Sequence, residues 1–144
     1  MIPAPVMHVL VTMAMLTGMT LAPVMPSWEP DPADIAYVSR TIWGETRGCP
    51  EIEQRAQAWC ILNRVDDSRF PDTIEAVVLQ PLQFQGYSPN FPADTFWDMA
   101  EEILIMWHNG EREIPADMCW CEGDGKHQTF RNEWIKTEDT RFYP

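Results

Sequence analysis

Apolar positions recur at helical spacing along much of this chain, and each run is bracketed by residues that start or stop helices. Ile35, Val38 and Ile42 fall at i, i+3 and i+7, one stripe on one helix face. Asp31 precedes them as an N-cap, Pro32 takes the first helical position, and Asp34 meets the positive end of the helix dipole in the first turn. The pattern predicts a helix that ends at Glu45. Pro50 restarts helicity, with Glu51 and Glu53 in the new first turn and Ile52, Ala56, Trp59, Cys60 and Asn63 on one face. Cys60 in that position reads as a small buried hydrophobe. Thr73 to Leu79 predicts a short helix of Ile74, Val77 and Val78, stopped by Pro81. A further long helix is expected from about Ala93 to His108, with Phe96, Met99, Ala100, Ile103 and Trp107 spaced for burial and Asn109-Gly110 ending it.

The intervals carry turn chemistry. Asp66 to Asp72 is a polar turn whose Asp72 reads as the N-cap of the short helix or as a second acid. Leu82 to Phe91 is an irregular loop with Gly86 and Pro89, carrying Gln83, Phe84, Gln85 and Tyr87. Amides beside aromatics suit a ligand-facing loop. Beyond Glu111 a strand is expected at Met118 to Cys121, a turn at Gly123-Asp124-Gly125, and a partner strand between His127 and Trp134. The fold class is therefore mostly α (α+β), a helical domain with at most a small β-hairpin.

Residues 1–28 hold no Asp, Glu, Lys or Arg, and Val6 to Met25 is an apolar run long enough for a membrane span or the core of a secretory signal. Pro23, Pro26, Pro30 and Pro32 then form a stiff linker. The expected division is an apolar signal or membrane segment with linker over 1–30 and a folded domain over 31–144, exported or membrane-anchored. A chain of 144 residues suits one such domain. Its formal net charge of −12 and pI near 4.4 exclude nucleic acid as a partner, because phosphate binding needs clustered Lys and Arg.

Cys49, Cys60, Cys119 and Cys121 permit disulfides without specifying them. A bridge between Cys119 and Cys121 in one strand would have to span about 7 Å, beyond the usual Cα separation. A zinc site from Cys49, Cys119, Cys121 and His127 lacks the CxxC pairing such sites use, so no metal or cofactor is expected.

The candidate chemistry lies at the break between the first two long helices. Glu45 sits there between Gly44 and Gly48, glycines that let two backbones, or a backbone and a ligand, approach closely. Trp43 offers a flat face that would keep water from one side of the acid and raise its pKa. An aromatic face beside a lone carboxyl suits sugar chemistry. The chain has no phosphate-binding Gly loop, no His-x-x-x-His pair and no Gly-x-Ser-x-Gly elbow.

The run Ile42-Trp43-Gly44-Glu45-Thr46-Arg47-Gly48, continuing through Gln57-Ala58-Trp59, Ile61-Leu62-Asn63-Arg64-Val65, Phe70-Pro71-Asp72-Thr73-Ile74, Val77-Val78, Pro81 and Gln83-Phe84, resembles the spore-cortex-lytic, SleB-type family of bacterial and phage cell wall hydrolases. Gly123-Asp124-Gly125-Lys126-His127 and Phe130 match more weakly. Thr46 stands where the family commonly has Ala, and Cys60 where it has an aliphatic residue. The resemblance implies a lysozyme-like helical fold, action on the glycan strands of peptidoglycan, and Glu45 as the essential acid.

An ordinary glycosidase needs two carboxylates. Only one stands out in this sequence, with Asp72 and Glu75 as candidates for a second. A lytic transglycosylase needs one, because the group that donates the proton can take it back from the sugar's own C6 hydroxyl. The alternatives are a hydrolytic muramidase and a non-catalytic glycan-binding envelope or virion protein. Arg47 either binds an anionic sugar substituent or pairs with Glu51. Gln83, Phe84 and Tyr87 either grip N-acetyl groups or, for Phe84, cap the core. Asn63 is expected to satisfy a backbone group, and His108 and His127 to be exposed.

Overall fold

The computed structural model describes residues 27–123, 135–136 and 140–143, with side chains described up to Trp120. Helix α1 is Pro32–Thr46, and its Asp31 cap accepts a 2.8 Å hydrogen bond from the Ala33 N–H. Ile35, Val38 and Ile42 are all buried, so the stripe faces the core as its spacing requires. Helix α2, Glu51–Asp66, starts directly after Pro50. It is the central helix: every residue from Ala56 to Arg64 is buried. The expected single face is thus too narrow, and Ile52, assigned to it, is 55% exposed while its neighbour Glu53 is buried.

Helix α3 is Ile74–Val78, and its N-cap is Thr73, whose hydroxyl accepts from the Ala76 N–H at 3.1 Å. Asp72, the expected cap, is one residue too early and is exposed. Helix α4, Trp97–His108, begins later than its apolar spacing suggested, because the Ala93 carbonyl is taken by the Ser39 hydroxyl of α1 and Asp94 closes a turn onto the Trp97 N–H. It ends at Asn109, with Gly110 at φ +79° supplying the left-handed residue after it. Ala100, Ile103 and Leu104 are its buried residues.

Helix α1 packs on α2, α3 and α4, so two crossed long helices and two supports enclose one core around Trp59, Ile61 and Leu62. Asn63 serves the structure: its Nδ2 donates to the carbonyls of Pro115 (3.0 Å) and Met118 (2.8 Å) and fastens the segment after α4 onto α2. Cys60 is fully buried among apolar side chains.

The mostly α class is borne out, and the β part takes a form the turn signals did not reveal. Strands β1 (Trp120–Gly123), β2 (Ile135–Lys136) and β3 (Thr140–Tyr143) form an antiparallel sheet in the order β1-β3-β2. The hairpin is β2–β3, pairing Ile135 with Phe142, and β1 adds to its other edge with Trp120 opposite Tyr143. The expected strand between His127 and Trp134, the zinc candidate His127, the side chain of Cys121, and the apolar run Val6 to Met25 lie outside what the structure describes. Among the described residues no helix is long and apolar enough to cross a membrane, and no cluster of metal-ligating side chains occurs.

Candidate active site

Glu45 rides on the last turn of α1, and the turn beyond it is clamped from α2. The Gln54 amide donates toward three carbonyls, those of Cys49 (3.1 Å), Thr46 (3.3 Å) and Arg47 (3.4 Å). The Thr46 carbonyl, which also accepts from the Cys49 N–H at 2.9 Å, and the Arg47 carbonyl lie where intrahelical partners run out, so Gln54 ties the end of α1 and the turn after it to α2.

The carboxylate of Glu45 is exposed, and its Oε1 accepts a 2.7 Å hydrogen bond from the Gly86 N–H, 41 residues away. This bond exists because two backbones cross at glycines. A Cβ on Gly44 would lie 1.7 Å from the Gly86 carbonyl oxygen. A Cβ on Gly86 would lie 2.7 Å from the Gly44 oxygen and 2.9 Å from Glu45 Cδ. Gly44 thus makes the close approach expected of it. Gly48 does not: nothing stands within 4 Å of the Cβ it lacks.

Trp43 is not the aromatic face beside the acid. Two residues along a helix are about 200° apart around its axis, and the Trp43 ring lies edge-on to Phe96 at 6.4 Å. Arg47, one turn on, folds back over that ring at 5.7 Å and donates to the Trp43 carbonyl at 3.0 Å. It does not pair with Glu51, which is 3.9 Å from Arg55 instead.

The face that does carry Glu45 holds Thr41 and Tyr37 at four-residue steps. Tyr37 packs against Tyr87 with ring centroids 5.7 Å apart and donates its hydroxyl to Glu75 at 2.9 Å. That bond, ahead of burial and the Glu75 charge, raises the Tyr37 phenol above its usual range. Tyr87 therefore continues from Gly86 directly onto the Glu45 side of α1. Glu75 is bonded to Tyr37, eight residues before Glu45 on α1, while Glu45 is bonded to Gly86, so the two carboxyls have different partners. Asp72 makes no contact with the acid's face that the structure records.

Gln83, which is exposed, and Phe84 help to hold the loop. Phe84 is buried, and the Gln83 side-chain oxygen accepts from Arg64 Nη1 at 3.0 Å. Arg64 is itself buried, donates to the Cys119 carbonyl at 2.8 Å, and sits over three rings: Phe70 (4.9 Å), Phe84 (4.9 Å) and Trp120 (4.8 Å). Sequence reasoning missed Gly86, Tyr37, Gln54 and Arg64 as parts of the site. Tyr37 alone carried a signal, its i, i+4, i+8 spacing with Thr41 and Glu45. His108 is exposed and stacks on Trp28 at 3.9 Å, beside a cavity of about 480 Å3 lined by Asp66, Trp107 and Arg112, which includes none of the residues around Glu45.

Known proteins share both the sequence and the fold around this geometry. The chain is 41% identical over 81 residues to the spore cortex-lytic enzyme of Oceanobacillus iheyensis, covering 54% of this chain and 28% of that protein. It is 33% identical over 89 residues to the spore cortex-lytic enzyme of Bacillus subtilis, covering 52% of this chain and 29% of that one. The chain thus spans under a third of the length of these curated relatives. In fold it is similar to the catalytic domain of Bacillus cereus SleB, with TM-score 0.61 at 21% identity, covering 88% of this chain and all of that one. It is also similar to the catalytic domain of the germination-specific lytic transglycosylase SleB from Bacillus anthracis, with TM-score 0.58 at 21% identity, covering 83% of this chain and all of that one. The family described as Cell Wall Hydrolase matches residues 48–142, a span that begins just after Glu45. Because that match takes in more than half of the chain, and the sequence relatives and the fold agree with it, the chain belongs to the cell wall hydrolase family.

Proposed function

We propose that this chain cleaves peptidoglycan glycan strands between N-acetylmuramic acid and N-acetylglucosamine by lytic transglycosylation, leaving 1,6-anhydromuramyl ends, with Glu45 as acid and then base. The observation that carries the reading is one exposed carboxyl at the end of α1 pinned through one oxygen, while Glu75, a candidate for the second acid that a hydrolytic pair needs, is bonded to the Tyr37 hydroxyl.

Glu45 Oε1 is occupied by the Gly86 N–H, which leaves Oε2 to carry the proton. Glu45 donates that proton to the glycosidic oxygen as the bond from C1 breaks, and the leaving sugar departs as an alcohol. The resulting carboxylate accepts the proton of the muramyl C6 hydroxyl while that oxygen closes on C1. Glu45 ends protonated, ready for another cycle, and no water is consumed. Tyr87 and Tyr37 offer the nearest aromatic surface on this face for a sugar ring, and Trp43, with Arg47, offers one on the opposite side of α1. The family relationship supports the same substrate class, and the apolar run before the linker supports action at the cell envelope, at or beyond the cytoplasmic membrane.

The test is clearance of a purified peptidoglycan suspension followed by mass analysis of the fragments. Ends lighter by one water support the proposal, reducing ends indicate hydrolysis, and intact glycan indicates a binding module. Glu45→Gln keeps size and hydrogen bonding but cannot titrate, so turnover should fall at least about 10²- to 10⁴-fold while binding to the wall persists. A folded Glu45→Gln protein that clears at the parent rate rejects the assignment.

A further inference from the structure

We infer that Gly86 is a positioning residue for Glu45: its backbone N–H holds one carboxyl oxygen so that the proton sits on the other, and the bond strengthens as the carboxyl gives that proton away. The inference rests on the reading of Glu45 as the acid and adds the group that orients it.

Three observations carry it. The contact is a short bond, 2.7 Å, from a backbone donor, and a backbone donor cannot rotate away as a side chain can. Its placement is over-determined: the Gly44–Gly86 crossing excludes a side chain on either residue, so the N–H is delivered to the last turn of α1 at a fixed height. The loop that delivers it also holds strained backbone. Leu82 has φ +63°, the left-handed region that costs a branched side chain, and is 82% exposed, so its own burial does not offset the strain. The anchors after it do. Gln83 is bound by Arg64, Phe84 is buried, and Tyr87 packs on Tyr37. Backbone strain sustained by these anchors, with the site donor among them, points to a loop shaped around the position of one N–H.

The physical consequence depends on where charge develops. A neutral carboxylic acid accepts a weak hydrogen bond through its carbonyl oxygen, and a carboxylate accepts a strong one. The Gly86 bond is therefore worth more after proton donation than before it, which is the differential binding that raises kcat rather than lowering KM.

The experiment replaces the Gly86 amide by an ester in the full-length protein, by incorporating glycolic acid at that position. The N–H is removed and no atom is added at the crossing. The expected result is a kcat lower by about 10- to 100-fold with an unchanged KM on a soluble glycan oligomer. In the Glu45→Gln background the exchange should have no further effect. Gly86→Ala, whose Cβ would press on Glu45 Cδ, should lower kcat in the same direction if it folds. An ester protein with unchanged kcat, beside an inactive Glu45→Gln, overturns the role of Gly86 and leaves Glu45 in place. A loss that falls on KM rather than kcat, or an ester protein that does not fold, shows a structural bond and overturns it too. An active Glu45→Gln would remove the acid itself.

Discussion

Arg64→Lys should destabilise the domain strongly although charge and most of the volume are kept. The guanidinium is buried and uses its fork in two directions, from Nε to the Cys119 carbonyl and from Nη1 to the Gln83 side chain, while its plane lies within 5 Å of three ring centroids. An ammonium is a point donor and cannot meet both acceptors at that spacing while lying flat on the rings. One charge-assisted bond is worth about 1.5–3 kcal/mol, and the lost stacking adds about 0.5–1 kcal/mol. The expected cost is about 2–4 kcal/mol, which for a domain near 100 residues lowers Tm by roughly 10–20 °C. Arg64→Met should cost at least as much, because it leaves the Cys119 carbonyl buried without this donor. Thermal melts followed by circular dichroism at neutral pH read the result directly. Gln83→Ala is the internal control: its side chain is exposed, so it should cost under about 1 kcal/mol. An Arg64→Lys protein melting within a few degrees of the parent would show that the rings and the Asn63 clamp, not the guanidinium, hold the loop and β1 to α2.

Gln54→Ala should remove the clamp on the end of α1 and lower Tm by several degrees, about 1 kcal/mol, and Gln54→Glu should do more harm by setting a carboxylate against three carbonyls; equal melting of all three proteins would refute the clamp. Glu53 is fully buried, and neither of its carboxyl oxygens has a hydrogen-bond partner among the described residues. Glu53→Met should therefore stabilise by about 1–3 kcal/mol, and a lower midpoint in urea would show that the acid is needed where it lies. The Arg69 side chain and backbone N–H hold the Asp67 carboxyl at about 2, below its usual 3.8. A depressed carboxyl contributes stability that is present above the unfolded value and lost as pH falls through the folded one. Asp67→Asn should accordingly flatten the fall in stability between about pH 4 and 2, measured by urea melts across that range, and an unchanged acid limb would count against the pair.

What the sequence disclosed and what it hid divide along the distance between partners. Asp31 with Pro32, the restart at Pro50 and the stop at Asn109-Gly110 are signals read within a few residues, and the helices begin and end close to them. Gly44 was legible as a close approach, but the partner was not, because nothing local to Gly86 distinguishes a glycine that crosses a helix from one that bends a loop. Nearness in sequence misled at Trp43: residues two apart lie on nearly opposite sides of a helix, so the ring two positions before Glu45 is among the side chains farthest around the axis from it. The rings that do share its face, Tyr37 and Tyr87, come from one turn pattern and one loop. The partner that β1 does show was hidden for the same reason. A turn at Gly123-Asp124-Gly125 argues for pairing with the adjoining stretch of chain, whereas β1 pairs with a strand that begins at Thr140, a choice made by the β2–β3 edge and by packing on α2. The carboxyl proposed as the acid stands out in the sequence by Gly44 and its motif. Its hydrogen-bond donor does not, because it is a backbone N–H, which every residue but proline possesses, and only the crossing of two backbone segments brings this one to Glu45.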